Sequence, residues 1–214
     1  TIHMIDPKNL PAPCFDRADP TDDALFYLQP RKVVHIDEWA IASLRDFLSG
    51  HLTPGGTYLD LMSSWRSHLP PDHRPARVIG LGLNAEEMED NPQLDEWIVH
   101  NLNTTPRLPF DDQIFDAAVC TVSIQYMTRP IDVFRDINRV LKPGAPFILS
   151  FSNRCFPQKA IALWLAMTDA QHVELVKNYF NTFDAWDEVQ TWDNLADIQN
   201  TDPLFIVWAN RKSG

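Results

Sequence analysis

The chain has 214 residues, 44% of them hydrophobic and 22% charged, and carries a formal net charge of −11. That length suits one full-sized core and is short for two, and the composition is that of a globular chain, not a disordered one. The charge argues against a protein whose main task is gripping nucleic acid, since that affinity is built from clustered Lys and Arg and no basic run is present.

Three cysteines, Cys14, Cys120 and Cys155, lack C-x-x-C or metal-ligand spacing, which predicts reduced thiols and no metal site. No apolar stretch reaches about 18 residues and no leader pattern is visible, so a cytoplasmic protein with no membrane segment is expected. Met4 reads as a native start behind an added Thr1-Ile2-His3.

In chain order, residues 1–35 read as an irregular arm, rich in Pro and Asp, with Phe15, Phe26 and Tyr27 as aromatic anchors. Residues 36–214 read as a single domain. A helix is predicted from Ile36 to Gly50, with Asp37 as N-cap, Ile36 and Ile41 as a hydrophobic staple, and Gly50 as its stop. After "TPGG" the period changes, and strands are predicted at Thr57–Met62, Arg77–Leu81, Trp97–Leu102, Phe115–Val122, Pro146–Phe151 and Leu204–Ala209. Runs such as "FDAAVCTV" and "PFILSF" suit strands buried on both faces. Ile131, Phe134, Ile137 and Leu141 step round one side of a helix, and further helices are predicted at Gln158–Met167 and Ala170–Tyr179. The tail breaks the alternation: "WDEVQTWDN" and "DPLFIVWANR" leave no room for a helix between them, so an antiparallel pair is expected at one edge. The expected fold class is α/β, a doubly wound, mostly parallel seven-stranded sheet closed by an antiparallel C-terminal hairpin.

Residues 108–153 read "LPFDDQIFDAAVCTVSIQYMTRPIDVFRDINRVLKPGAPFILSFSN". The "LPF…FD" and "RVLKPG" pieces at this separation resemble a class I S-adenosylmethionine-dependent methyltransferase of the small-molecule type, over roughly Gly55 to Arg211. The resemblance implies S-adenosylmethionine as cofactor, a small-molecule methyl acceptor, and a site at the carboxyl ends of the central strands, where the strand order reverses.

Four loops then supply contacts, and three depart from the family pattern. In "LDLMSSWRSHLP", residues 59–70, Asp60 holds the family's acidic position, but Met62, Ser64 and Arg66 replace the three glycines of the usual cofactor turn. Ser63 and Ser64 offer hydroxyls to an amino acid carboxylate or serve only as caps, whereas a left-handed backbone at Met62 or Trp65 implies strain. Gly82 stands where the family places the acid that meets the ribose, leaving Asn84 as an uncharged substitute or a helix cap. Asn101 and Leu102 stand at the adenine position, with a turn role as the alternative for Asn101. Thr121 and Tyr126 follow the fourth strand, and Tyr126 is expected to face the methyl group. His35 and Arg31 precede the first helix in a region that often lids such sites. Asn153 and Arg154 follow the fifth strand.

Methyl displacement needs positioning and desolvation, and a base only for a protonated acceptor, so Tyr126 and His35 are the catalytic candidates. The altered glycine loop and missing acid support an alternative, a non-catalytic ligand-binding or interaction module. A nicotinamide oxidoreductase is disfavoured by the missing G-x-G-x-x-G and by the terminal hairpin.

Overall fold

A computed structural model describes residues 6–197 and 201–214, so Met4 lies outside the described residues. Five parallel strands form the centre: β1 (Thr57–Leu61), β2 (Arg77–Gly82), β3 (Glu96–Val99), β4 (Ala117–Thr121) and β5 (Pro146–Phe151). β7 (Phe205–Asn210) pairs antiparallel with β5, and β6 (Gln190–Asp193) antiparallel with β7. The spatial order is β3-β2-β1-β4-β5-β7-β6, so the expected α/β architecture and terminal hairpin are present and the order reverses between β1 and β4.

Strand pleating explains the two-sided core. Leu59 and Leu61 of β1 join one apolar cluster, with Phe134 and Ile137, while Tyr58, just before them, joins the other, with Ala40 and Leu44. The first cluster is sealed by α4 (Pro130–Val140) and α6 (Asp169–Phe180), the second by α2 (Glu38–His51). Asp37 caps α2 by accepting the Ala40 amide at 2.9 Å, and Ile36 and Ile41 are both buried.

Some boundaries differ from expectation. Gly50 lies inside α2, and the left-handed residue of the following turn is Gly55 (φ +75°). β3 stops at Val99, because the His100 amide makes the last bond across to Gly82 and Asn101 opens a turn that binds the amides of Thr104 and Thr105. The helix expected over Gln158–Met167 shrinks to α5 (Ala162–Leu165). Its first residues are spent elsewhere: the Gln158 carbonyl accepts the Asp19 amide, and the Ile161 amide donates to Gln125.

The N-terminal arm has more order than its composition suggested. Two 3-10 turns (Pro7–Asn9 and Ala12–Phe15) lead into α1 (Asp23–Phe26). Lys159 is fully buried and ties the arm down: its ammonium donates to the Thr21 carbonyl (2.9 Å) and pairs with Asp19 (3.2 Å) and Asp23 (3.3 Å). Arg17 pairs with the same Asp23. The arm therefore crosses the carboxyl ends of the strands and roofs what lies there.

Candidate functional site

Under that roof, at the β1/β4 switch point, lies a crevice of about 1140 Å³, its open mouth included. Its walls are the loops after β1 to β4, Phe156 after β5, Ile36, and arm residues between 23 and 35.

The loop after β1 is held from below. Asp60 is buried, and Ser63 Oγ and Ser67 Oγ each donate to its Oδ2 at 2.6 Å. Burial dominates over those two bonds and lifts the Asp60 pKa to about 6. Met62 adopts the left-handed backbone expected of a glycine (φ +55°), and the Ser63 amide donates to the Leu81 carbonyl at 2.8 Å. Unbranched Met tolerates this conformation better than a β-branched residue would. Trp65 is turned toward the arm, its indole N–H donating to the Val33 carbonyl (3.0 Å). His68 is buried in the crevice wall with Nδ1 unpartnered, and burial with Arg45 and Arg66 nearby pushes its pKa down to about 4.

After β2, Asn84 acts as the helix cap. Its Oδ1 accepts the Glu87 amide at 2.9 Å, opening α3 (Ala85–Glu89), and its Nδ2 donates to the Tyr27 carbonyl of the arm at 2.9 Å. Glu87 brings a buried carboxylate into the wall, accepting the Ser64 hydroxyl at 2.9 Å and the Arg31 amide. After β3, Asn101 Oδ1 accepts the Asn103 amide (3.0 Å) and its Nδ2 donates to Asp22 (3.1 Å), so its side chain is spent on the turn and the arm. Leu102 beside it is buried.

Thr121 ends β4, half-buried in the wall, and Val122 follows with φ +51°, an outlier for a β-branched residue at the crevice edge. The Tyr126 hydroxyl accepts the Phe156 amide at 2.8 Å, leaving its own proton free, and burial pushes the phenol up to about 12. His35 packs edge-on against Phe156 (5.0 Å between centroids), and burial lowers its pKa, which favours the neutral ring.

The crevice thus gathers Tyr126, His35, Asp60, Met62, Ser63 and Ser64, together with Asn84, Asn101, Leu102 and Thr121. Arg154 is not there: it pairs with Asp202 (2.7 Å), and neighbouring Asn153 is exposed. Sequence reasoning missed Tyr27, Glu87, His68 and Phe156. Glu87 had a signal, standing three residues after Asn84 as in a capping box, but that pattern marks a helix start and not a cavity wall. Tyr27 and Phe156 lie in segments with no periodicity to place them.

A sheet of this order, with its crevice at the switch point, is the fold of the class I S-adenosylmethionine-dependent methyltransferases, and the resemblance drawn from the sequence holds. Residues 64–149 match the family model described as "Methyltransferase domain". The chain is 33% identical over 71 residues, 33% of its length, to the biotin biosynthesis bifunctional protein BioHC of Teredinibacter turnerae. It is 28% identical over 67 residues, 31% of its length, to the malonyl-[acyl-carrier protein] O-methyltransferase of a Marinomonas species. These matches span 12% and 25% of the relatives' own lengths. Among solved structures, an S-adenosylmethionine-dependent methyltransferase from Mesorhizobium loti superposes with a TM-score of 0.54 at 16% identity, covering 79% of this chain and 96% of that one. Among the described residues no helix is long and apolar enough to cross a membrane.

Proposed function

We propose that the chain transfers a methyl group from S-adenosylmethionine to a small-molecule acceptor, with residues 36–214 as one methyltransferase-like domain roofed by the arm. The observation that carries this reading is that the crevice stays open although the usual glycines are gone. Met62 takes the left-handed backbone and Trp65 is drawn off to Val33, so the loop turns without filling the cavity.

The donor set fits the cofactor. The loop Met62–Ser64 and the unpartnered Nδ1 of His68 suit its amino acid end. Glu87 retains acceptor capacity beyond its two bonds and suits the ribose hydroxyls, in place of the acid missing at Gly82. Leu83 and Leu102 offer apolar surface to the adenine. The sulfonium supplies an activated methyl, so the chain's own groups need only position the acceptor and exclude water. Tyr126 can donate its proton to the acceptor, and a neutral His35 can take one. The relative named for malonyl-[acyl-carrier protein] supports an acceptor whose reacting part is a small acyl group.

Calorimetry with S-adenosylmethionine and S-adenosylhomocysteine tests the reading. Submillimolar binding of either ligand, lost in a folded Thr121→Trp variant that fills the wall, supports it. No heat with either ligand on the wild-type chain favours a non-catalytic module, the second reading, which the glycine-poor loop and the missing strand-end acid motivate.

A further inference from the structure

Arg31 is a cation set into the crevice with no salt-bridge partner among the described residues. Its guanidinium lies 4.0 Å over the Phe26 ring and 5.5 Å from the Phe156 centroid, so aromatic surface desolvates the cation from two sides. Among the described residues its side chain makes one hydrogen bond, from an Nη to the Phe26 carbonyl at 3.2 Å, and its Nε is buried with no partner.

In a chain with 29 acidic and 18 basic residues, a half-buried arginine left without a carboxylate stands out. Arg17 and Arg139, also half-buried, pair with Asp23 and with Asp112 and Asp136. Arg211 is spent on three carbonyls. The other arginines without an acidic partner, Arg45, Arg66, Arg74 and Arg135, are exposed to water, which solvates them without help.

The crevice around Arg31 presents several donors, and of the carboxylates lining it Glu87 already accepts the Ser64 hydroxyl and the Arg31 backbone amide. The Tyr27 hydroxyl makes no hydrogen bond among the described residues, and the Tyr126 hydroxyl accepts from Phe156 and keeps its proton free. Asp23, the carboxylate at this end of the crevice, is already occupied by Arg17, Lys159 and Asn103. An arginine edge and two phenolic protons that make no bond to a protein oxygen among the described residues suit a ligand that brings oxygen acceptors.

We infer that Arg31, with Tyr27 and Tyr126 beside it, binds a carboxylate, and that this carboxylate belongs to the methyl acceptor. Its place on the acceptor rests on the function proposed above. It follows from where the guanidinium points: toward Phe26 and Phe156, beyond the ends of β4 and β5, while the loop suited to the cofactor's amino acid end follows β1. A carboxylate, with two oxygens in one plane, matches the donor fork of a guanidinium that makes one hydrogen bond among the described residues.

The test compares the wild-type chain with Arg31→Met and Arg31→Lys, each checked for an unchanged circular dichroism spectrum. In one arm S-adenosylhomocysteine and 5′-methylthioadenosine, which lacks the amino acid end, are titrated into all three. Arg31→Met is expected to bind both as the wild type does. A loss of about tenfold or more for S-adenosylhomocysteine alone assigns the carboxylate to the cofactor and overturns its placement on the acceptor.

In the other arm benzoate, propionate, inorganic phosphate and the neutral benzamide are titrated, with and without S-adenosylhomocysteine. At least one carboxylate is expected to bind about tenfold or more tightly than benzamide, with the preference abolished in Arg31→Met and partly kept in Arg31→Lys. Equal binding of benzoate and benzamide, binding of phosphate alone, or binding of neither carboxylate overturns the inference. Because the free protein is titrated too, failure to bind S-adenosylhomocysteine is read separately and counts against the proposed function.

Discussion

A Cβ on Gly82 would lie 2.3 Å from the Ser63 carbonyl oxygen, inside any tolerable contact. The loop after β1 therefore rests directly on the end of β2, where the resemblance places an acidic residue. The missing acid and the glycine-poor loop are one structural fact: with Ser63 seated there, no side chain fits at 82. Glu87 then enters the same wall from α3 and takes the Ser64 hydroxyl.

Gly82→Ala is expected to displace the loop rather than restore a contact. The methyl meets backbone, which cannot rotate away, so a loss of about 1–3 kcal/mol in urea denaturation is expected, the range for overpacking a tight site. Gly82→Asp should be worse and should not improve binding of S-adenosylhomocysteine. A stable Gly82→Asp variant with tighter binding would show that the loop yields.

Asp60 gives a pH signature. Its carboxyl titrates at about 6 in the fold against an ordinary 3.8, so the folded chain holds the proton more tightly. Stability from that proton is fully present below pH 3.8 and is lost as pH rises toward 6, for a total of ~3 kcal/mol. Asp60→Asn, which keeps an oxygen for Ser63 and Ser67, should gain on the wild type over that window and run parallel to it above. His68 titrates nearby with the opposite sense, its pKa held down to about 4, but it is present in both proteins and drops out of the difference. A gap between the two denaturation curves that stays constant from pH 4 to 7 contradicts the assignment.

The sheet was legible because its signals are local. Apolar runs such as Phe147 to Phe151 cannot be solvated and must become strands, and the short spacing of the last two forces an antiparallel pair. Asn84 and Asn101 illustrate the limit. Each lines the crevice, yet each spends its side chain on a cap or a turn and on the arm, partners 57 and 79 residues away. Nothing in the spacing of an irregular arm reveals which loops it crosses. Tyr27, Arg31 and Phe156 meet because contacts from distant loops and a buried lysine far along the chain pin the arm in place.

That lysine can be tested directly. Lys159→Met keeps the bulk and removes the charge, leaving the Thr21 carbonyl without its donor, Asp19 with Thr21 alone, and Asp23 with Arg17 and Asn103. Removing one partner of a buried pair weakens what it held, and here the loss falls on the docking of the arm. Trypsin should then cut at Arg31 and Lys32 well before the sheet unfolds, whereas the wild type resists. Equal cleavage rates would show that the arm is held without the lysine, by its aromatic contacts and its hydrogen bonds to the loops.

Glu87→Gln isolates the carboxylate that joins loop, arm and crevice. The amide keeps the shape but has one oxygen where the Ser64 hydroxyl and the Arg31 amide now find two, so one half-buried donor loses its charged partner at a cost of about 1–3 kcal/mol. If the same carboxylate also takes the ribose hydroxyls, binding of S-adenosylhomocysteine falls about tenfold or more beyond what Ser64→Ala produces, because Ser64→Ala removes one loop bond and leaves the acceptor charge in place. Equal losses in the two variants would confine Glu87 to holding the loop, and the ribose would then have to be met by backbone at Leu83 and Asn84.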